Sequence, residues 1–382
     1  MTNDKLHIVH IASHSINVGD GAITSGIRRA LADIYPGEIS YTNIEIVDYE
    51  FFGQELSAAY LDALGGNLIL VGGGGTIDGH TMRLQNGTAF TMTMDEMKLL
   101  QTPIAFVALG HNQFNHQRFY HRDILHRFLE FCYTNDIPFS LRNDGSRERI
   151  IDLLEHDISG LADIVPDPGF FIKTPEQLPS PVFPPTTTPK VVLQLAFDAY
   201  QHRFGGADVD YKGNFKSFVS SISEYATHLI DEYNASIAIA THTSDDLQGA
   251  TEVLRNVERK KARLNIRSTG VYHPTYAPMF FKAYAEADLV VGMRGHSVIC
   301  GAGLDRPTIA ISTHPKVAGF MSKIGGICYE PPISDDVYES LLIDTRHILT
   351  GHGEEYTKVI QERTAGWYDE LKTFLTRCLN AV

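Results

Sequence analysis

Short apolar runs and longer amphipathic ones take turns along this chain, break off at a proline-rich stretch, and then take turns again. The first series runs LHIVHIA, AITSGIRRALADIY, ISYTNIEIV, QELSAAYLDAL, NLILVGGGG, PIAFVAL, RFYHRDILHRFLEFCYTN, IPFSLR, SRERIIDLLEH and ADIVPDPGF. Apolar runs this short suit strands buried on both faces, and the spacing between them suits helices. A parallel partner cannot be reached by a tight turn, so strand and helix in alternation imply parallel strands joined by helical crossovers. The stretch TPEQLPSPVFPPTTTP has neither period and little charge, and it reads as a linker. A second series follows: KVVLQLAF, FKSFVSSISEYATHLIDEY, SIAIATH, APMFFKAYAEA, DLVVGM, SVICGAGL and PTIAIST. The expectation is an α/β protein of two doubly wound lobes with a central cleft.

The same pattern places a first lobe over 1–175, the linker over 176–189, a second lobe over 190–353 and a C-terminal helix over 354–382. Val359, Trp367, Leu371 and Leu375 give that last helix an apolar stripe suited to packing back on the first lobe. Length agrees, because 382 residues exceed what one ordinary core organises. Two Rossmann-like lobes facing a cleft are similar to the GT-B form of glycosyltransferases. A formal net charge of -14 argues against nucleic acid or an anionic membrane as the main partner. A local basic cleft can still oppose that sign for a small anion. Cys132, Cys300, Cys328 and Cys378 lie far apart and match no paired metal-binding spacing, which points to a reducing compartment. The N-terminus reads as a first strand rather than a signal peptide, and no apolar run reaches the roughly 18 residues of a membrane span. A cytoplasmic protein with no integral membrane segment is expected.

Ligands of open α/β sheets bind beyond the carboxyl ends of strands, so polar residues directly after the apolar runs are the candidates. Asn17, Gly19 and Asp20 follow the first strand where a helix begins. Asp20 is placed either to cap that helix or to flank an anion held at its exposed N–H groups. Gly73 and Gly74 belong to a four-glycine loop after NLILV, with Asp78 just beyond. Without Cβ atoms such a loop lets a ligand approach the backbone, or simply makes a tight turn. It matches neither the P-loop nor the dinucleotide-binding pattern. Arg142 and Ser146 close the strand IPFSLR, where Ser146 or Asp144 serves equally well as a helix cap. His242 follows SIAIAT, with Ser244, Asp245 and Asp246 beside it as cleft residues or caps. His111, His116, His121 and His126 recur every five residues, a rotation of about 140° on a helix, so they share no face for a metal. Asn112 and Gln113 lie among them as further cleft candidates. Asp208 and Asp210 form an Asp-x-Asp pair, a pattern too frequent by chance to assign a metal.

Residues 287–316, ADLVVGMRGHSVICGAGLDRPTIAISTHPK, concentrate the chemistry. They read as a buried strand, a turn carrying Arg294 and His296 with Ser297 next, a small-residue helix, a second strand and a loop ending in Lys316. A guanidinium, an imidazole and an ammonium at successive strand ends suit an anionic substrate and a proton-transfer step.

The Arg-x-His at 294–296, followed by Gly303-x-x-x-Pro307 and a downstream Lys316, resembles the polysaccharide pyruvyltransferase family. So do the Asn-x-Gly-Asp of 17–20 and the segment from Arg142 to Ser146, where Asn143 stands at the family's acidic position. The resemblance implies transfer of pyruvate from phosphoenolpyruvate onto two hydroxyls of a saccharide, giving a cyclic ketal and phosphate with no cofactor and no metal. By carry-over His296 is the general acid or base, and Arg294 binds the donor's carboxylate or phosphate. Lys316 and Arg142 are further candidates for that anion. Asn17, Gly19, Asp20, Gly73, Gly74, Asp78, Ser146, His242 and Ser297 are the remaining substrate-binding candidates. The first lobe is then the acceptor side, with selectivity in the loops at 78–85 and 111–116, and the second lobe the donor side. The acceptor is a saccharide, nucleotide sugar or lipid-linked glycan of surface or extracellular polysaccharide biosynthesis. A homo-oligomer is compatible with the sequence. Two other readings stand beside this one: a nucleotide-sugar glycosyltransferase of the same form, and a glycan-binding relative without catalysis.

Overall fold

The computed structural model describes residues 5–46, 56–78, 85–115, 117–205, 210–329 and 336–382. Six strands form the first sheet: β1 (Leu6–Ala12), β2 (Ile39–Glu45), β3 (Leu68–Ile77), β4 (Ile104–His111), β5 (Phe139–Arg142) and β6 (Asp163–Val165). Six more form the second: β7 (Lys190–Gln194), β8 (Ser236–Ala240), β9 (Ile266–Ser268), β10 (Leu289–Gly292), β11 (Thr308–Ile311) and β12 (Ile327–Tyr329). The spatial orders are β2-β1-β3-β4-β5-β6 and β12-β11-β10-β7-β8-β9, with neighbouring strands parallel throughout. Each order reverses direction once, between β1 and β3 and between β7 and β10. Crossovers leave to opposite sides at such a point and open a crevice beyond the strand ends. Both crevices belong to one cleft.

Several elements differ from the sequence expectation. Strands β9 and β12 were not anticipated; each has three residues at a sheet edge, too few to show a period. The glycines expected to form a loop after NLILV are instead the second half of β3, which runs on to Ile77. Gly72, Gly73 and Gly74 hold φ of +127°, +79° and +120°, and the register against β4 slips between Gly74 and Ile77. A Cβ on Gly72 would collide with the carbonyl oxygen of Val107, and one on Gly73 with the Ile23 side chain. The bend therefore needs glycine. APMFFKAYAEA breaks into two one-turn helices, Ala277–Phe280 and Lys282–Ala285, preceded by a 3-10 turn, Pro274–Tyr276.

Helix α1 (Val18–Ile34) follows β1 and is the seam of the molecule. Gly21 packs on the backbone of Pro274 from the second lobe, and Gly26 on the carbonyl of Pro168. Val18 and Ala22 join a buried cluster with Val192, Ala238, Phe280 and Cys300 of the second lobe. The backbone N–H of Val18 donates to the carbonyl of His242 at 3.2 Å. A 3-10 turn, Pro168–Phe171, sits between α1 and a small-residue helix, α3 (Gly295–Gly303), whose Gly303 abuts the Phe170 carbonyl. The helix α2 (Ser146–Leu154) lies after β5, and α4 (Pro315–Ile324) after β11. The C-terminal segment forms two helices, α5 (Gly353–Thr364) and α6 (Trp367–Leu379), broken at Gly366 with φ +89°. Leu371, Phe374, Leu375 and Cys378 of α6 bury against Leu6, Ile8 and Ile27 of the first lobe, while Val359 of α5 stays exposed.

Glycine to alanine in a helix ordinarily stabilises by up to about 1 kcal/mol. At Gly303 the sign should reverse, because the added methyl would sit inside the Phe170 carbonyl. Overpacking of this kind costs about 1–3 kcal/mol. Gly303→Ala should therefore lower the urea midpoint; an unchanged or raised midpoint would show that the lobes separate there without penalty.

Candidate active site

A cavity of about 610 Å³ opens between the lobes. Its first-lobe wall carries Asn17, Asp20, Gly73, Gly74, Asp78 and Asn112, and its second-lobe wall Asp198, Arg203, Arg294, His296, His314 and Lys316. Arg142 and Asp144 reach it from the end of β5. The helices α1, α3 and α4 all begin here, so the positive ends of three helix dipoles border one space.

Asn17, rather than Asp20, caps α1: its Oδ1 accepts from Gly19 N at 2.9 Å. Asp20 lies in the first turn, and burial raises its pKa against the pull of His296 and Lys316. Gly19 serves a steric purpose, since a Cβ there would stand 2.5 Å from His296 Nδ1. The imidazole thus lies on the bare backbone of α1.

His296 occupies the first turn of α3, and its Nε2 is 3.5 Å from Asp167 Oδ2. Asp167, wholly buried after β6, also accepts from Arg142 Nη1 at 3.0 Å and from Gly169 N at 2.8 Å. Burial works to raise its pKa, but His296 and Arg142 outweigh that and hold it down at about 2. Arg142 is enclosed by Asp144 at 2.9 Å and Asp167, and a Cβ on Gly110 would strike its guanidinium. Its charge is fully opposed by carboxylates of its own lobe.

Arg294, expected to bind the donor anion, lines the cavity and is already held by carboxylates. Nε donates to Asp246 at 2.9 Å, and Nη2 to Asp246 and Asp198, each at 2.7 Å, and to Thr243 at 3.0 Å. Burial opposes its charge, yet Asp246 and Asp198 raise its pKa overall. The guanidinium therefore staples the ends of β7, β8 and β10 together, with only Nη1 left over. Lys316 is relocated: it begins α4 instead of ending a loop. Its Nζ crosses the cleft to Asn112 Oδ1 at 2.8 Å, and no carboxylate lies within ion-pair distance among the described residues. Burial first, and the Arg142 charge second, lower its pKa to about 8.

Other candidates fall outside the cavity. Ser146 is buried, donating to Asp144 Oδ1 at 2.5 Å and accepting from His111 N at 2.9 Å, and Asp144 accepts from Ser146 N at 3.2 Å as a helix cap. Ser297 is buried behind Gly292, 3.2 Å from the Tyr284 hydroxyl. His242 does line the cleft, but burial lowers its pKa well below the usual range, and its Nε2 is 2.8 Å from that same hydroxyl. His111 is held near 4 by burial and Arg149; His121 starts a helix; His126 stacks on His156. His116, Asp208 and residues 79–84 of the expected acceptor loop lie outside the described residues. Asp210 caps the helix Tyr211–Tyr233. Away from the cleft, His347, His352 and Glu355 bring their ligand atoms within 4.8 Å. The two rings stack face to face at 6°, so their in-plane lone pairs run parallel instead of converging on one ion.

Asp167, Asp198, Arg203 and His314 went unnoticed in the sequence. Asp167 and Asp198 follow apolar runs as the other candidates do, and the strand-end rule would have found them. Arg203 pairs with Asp198 at 3.1 Å and lies 5.3 Å from the Phe114 ring centre across the cleft. His314 caps α4, its Nδ1 accepting from Lys316 N at 3.3 Å.

Two parallel-stranded lobes, with the cleft at both switch points, define a Rossmann-like α/β protein of the GT-B-like class. A family model described as polysaccharide pyruvyl transferase matches residues 17–315, and the chain belongs to that family. No curated protein matches it. A glycosyltransferase from Rickettsia africae ESF-5 is similar at 11% identity and a TM-score of 0.54, with 99% of this chain and 98% of that chain covered. UDP-GlcNAc 2-epimerase from Neisseria meningitidis, solved with UDP-GlcNAc, aligns at 12% identity and 0.58, covering 99% and 100%. S. aureus MnaA, solved with UDP, aligns at 12% and 0.58, covering 99% and 98%. At these identities the likeness is one of fold. No helix among the described residues is long and apolar enough to cross a membrane.

Lys316 generates a prediction with a definite sign. Its folded pKa of about 8 lies below the ordinary 10.5, so between those values the unfolded chain binds the extra proton and stability rises with pH. Below pH 8 the buried ammonium is a full burden. Lys316→Met should raise stability near pH 7 by roughly 1 kcal/mol, discounted for solvent reaching the cleft. Chemical denaturation at pH 7 and pH 10 tests this; a destabilised variant at pH 7 would show the ammonium to be compensated.

Proposed function

We propose that this protein transfers pyruvate from phosphoenolpyruvate to a saccharide, forming a cyclic ketal and releasing phosphate. One observation carries the reading: the cleft of a polysaccharide pyruvyl transferase family member places a carboxylate-free ammonium, Lys316, within the same cavity as a carboxylate-backed imidazole, His296. An anion of two or three charges relieves the burial of Lys316 and lies toward the positive dipole ends of α1, α3 and α4. Phosphoenolpyruvate is such an anion. Arg142, Arg203 and Arg294, already opposed by aspartates, shape the cavity and fix its strand ends.

The reaction needs proton transfers at matched positions. Protonation of C3 turns the enol into a methyl group and leaves C2 electrophilic; an acceptor hydroxyl adds there and loses its proton. The C2–O bond to phosphate breaks, and a second hydroxyl adds to C2 and gives up its proton to close the ring. One proton is taken by C3 and one by the departing phosphate, which balances the two released. His296 is the group placed to exchange these protons. Asp20, whose pKa burial raises, faces the same space from the first lobe. The acceptor lies against the first lobe, and the donor against the second.

Incubation with phosphoenolpyruvate and a panel of sugars, nucleotide sugars and lipid-linked glycans should release phosphate and give a product heavier by one pyruvate less one water. His296→Ala should lower kcat by at least 10²-fold, the usual scale of an acid–base group. No phosphate release with any acceptor, together with tight UDP binding, would replace this reading with glycosyl transfer. Phosphoenolpyruvate affinity should fall as pH rises through about 8, following the Lys316 proton; in Lys316→Met that dependence should vanish. Calorimetry across pH 7–9.5 measures both.

A further inference from the structure

We infer that Asp167 is a positioning residue that fixes the proton of the neutral His296 ring on Nε2, leaving Nδ1 as the nitrogen that exchanges protons in the cleft. The inference rests on His296 being the acid–base group of the proposed reaction.

The two ring nitrogens sit in different surroundings. Nε2 is sealed from solvent without a hydrogen bond of standard geometry, and the charged atom it approaches is Asp167 Oδ2 at 3.5 Å, so the two interact through charge. Asp167 has no freedom to be anything but an anion acceptor. Its pKa is held at about 2, Oδ1 is taken by Gly169 N at 2.8 Å, and Oδ2 is shared with Arg142 Nη1 at 3.0 Å. Its backbone N–H donates to Asn143 Oδ1 at 3.3 Å, which locks the segment after β6. An ionised carboxylate accepts only, so the ring nitrogen facing it must carry the proton. A ring with its proton on Nδ1 would set an Nε2 lone pair against a buried carboxylate, and a buried repulsion of that kind is not screened.

Neither ring nitrogen has a hydrogen-bond partner of standard geometry, but Nδ1, unlike Nε2, is not sealed. It lies against Gly19 at the start of α1, where a Cβ would stand at 2.5 Å, and a Cβ on Gly169 would meet Cδ2 of the same ring at 3.3 Å. Two glycines of the first lobe thus hold the ring edge and face while leaving Nδ1 at the cavity. The arrangement also divides the apparatus between lobes. His296 comes from the second lobe, whereas Asp167, Arg142 and both glycines come from the first. The orienting carboxylate reaches the imidazole only when α1 and the 3-10 turn Pro168–Phe171 are docked on α3. A buried carboxylate orienting a catalytic imidazole follows the logic of hydrolase triads, where removing the charge and keeping the shape costs on the order of 10⁴ in kcat through the wrong tautomer.

The test needs no substrate in its first arm. Long-range proton–nitrogen correlation spectra of the full chain, with His296 assigned by its absence from His296→Gln, report which nitrogen carries the proton at a pH where the ring is neutral. The expected result is a protonated Nε2 and a bare Nδ1. The reverse tautomer in the wild-type protein overturns the inference, whether or not pyruvate transfer is the reaction and whether or not Asp167→Asn folds. In the second arm, Asp167→Asn should lose the Nε2–H preference and lower kcat by 10²- to 10⁴-fold, while KM for phosphoenolpyruvate stays within about threefold. A variant with wild-type kcat overturns the positioning role. A rise in KM with kcat retained does so as well, since it would make Asp167 a support for donor binding instead.

Discussion

Helix α1 presents backbone, not side chains, to the rest of the molecule at three points, and the two lobes meet through that bareness. Gly19 receives the His296 ring, Gly21 the backbone of Pro274, and Gly26 the carbonyl of Pro168. Contacts this close gain dispersion energy only if no Cβ intervenes, and a single methyl would turn each into a clash. Because α1 starts at the end of β1, the same contacts bring its N-terminus to the cleft beside the His296 ring. Packing and site geometry are thus one constraint. The C-terminal helix α6 reinforces it from behind by covering the outer face of the first sheet beside α1.

Charge in the cleft is arranged in two distinct ways. The guanidinium groups of Arg142, Arg203 and Arg294 are each held by aspartates, and the aspartates are in turn depressed or buried by them. Such clusters tie loops together; removing one partner would strand a buried charge. Lys316 is arranged otherwise, with an amide oxygen as partner and a lowered pKa. An unfavourable charge of that kind persists where a ligand compensates it. An ammonium with no carboxylate in ion-pair distance among the described residues and the starts of three helices thus face the cleft of a chain whose formal charge is -14. That contrast is compatible with binding a small anion while repelling polyanions.

Much of the fold was legible because strand and helix leave different periods in sequence. The nine longer strands and the three-residue β6, within ADIVPDPGF, could be read from apolar runs, whereas the three-residue strands β9 and β12 could not, since pairing with a neighbour rather than any local pattern makes them strands. The glycine run after NLILV looked like a loop for a related reason. Nothing local says that β4 will lie close enough to pair with it. Among site residues, Asn17, Asp20, Gly73, Gly74, Asp78, Arg142, His242, Arg294, His296 and Lys316 do line the cleft, as the strand-end rule suggests. Ser146 and Ser297 do not, because Ser146 is held between Asp144 and the His111 N–H, and Ser297 is buried behind Gly292 beside the Tyr284 hydroxyl.

What the sequence determined by itself was the order of elements, the apolar cores of two parallel sheets, and the chemical types available at their strand ends. These depend on local periodicity and on side-chain chemistry, which do not change with folding. Only the tertiary structure decided which charges meet. Whether a guanidinium faces an aspartate or an empty cavity depends on residues 48 and 96 positions away, as Arg294 with Asp246 and Asp198 shows. The pairing of His296 with Asp167 spans the lobes, and it exists because glycines on α1 and α3 let backbones touch. Electrostatics acts through space at distances of a few ångströms, and sequence separation carries almost no information about such distances.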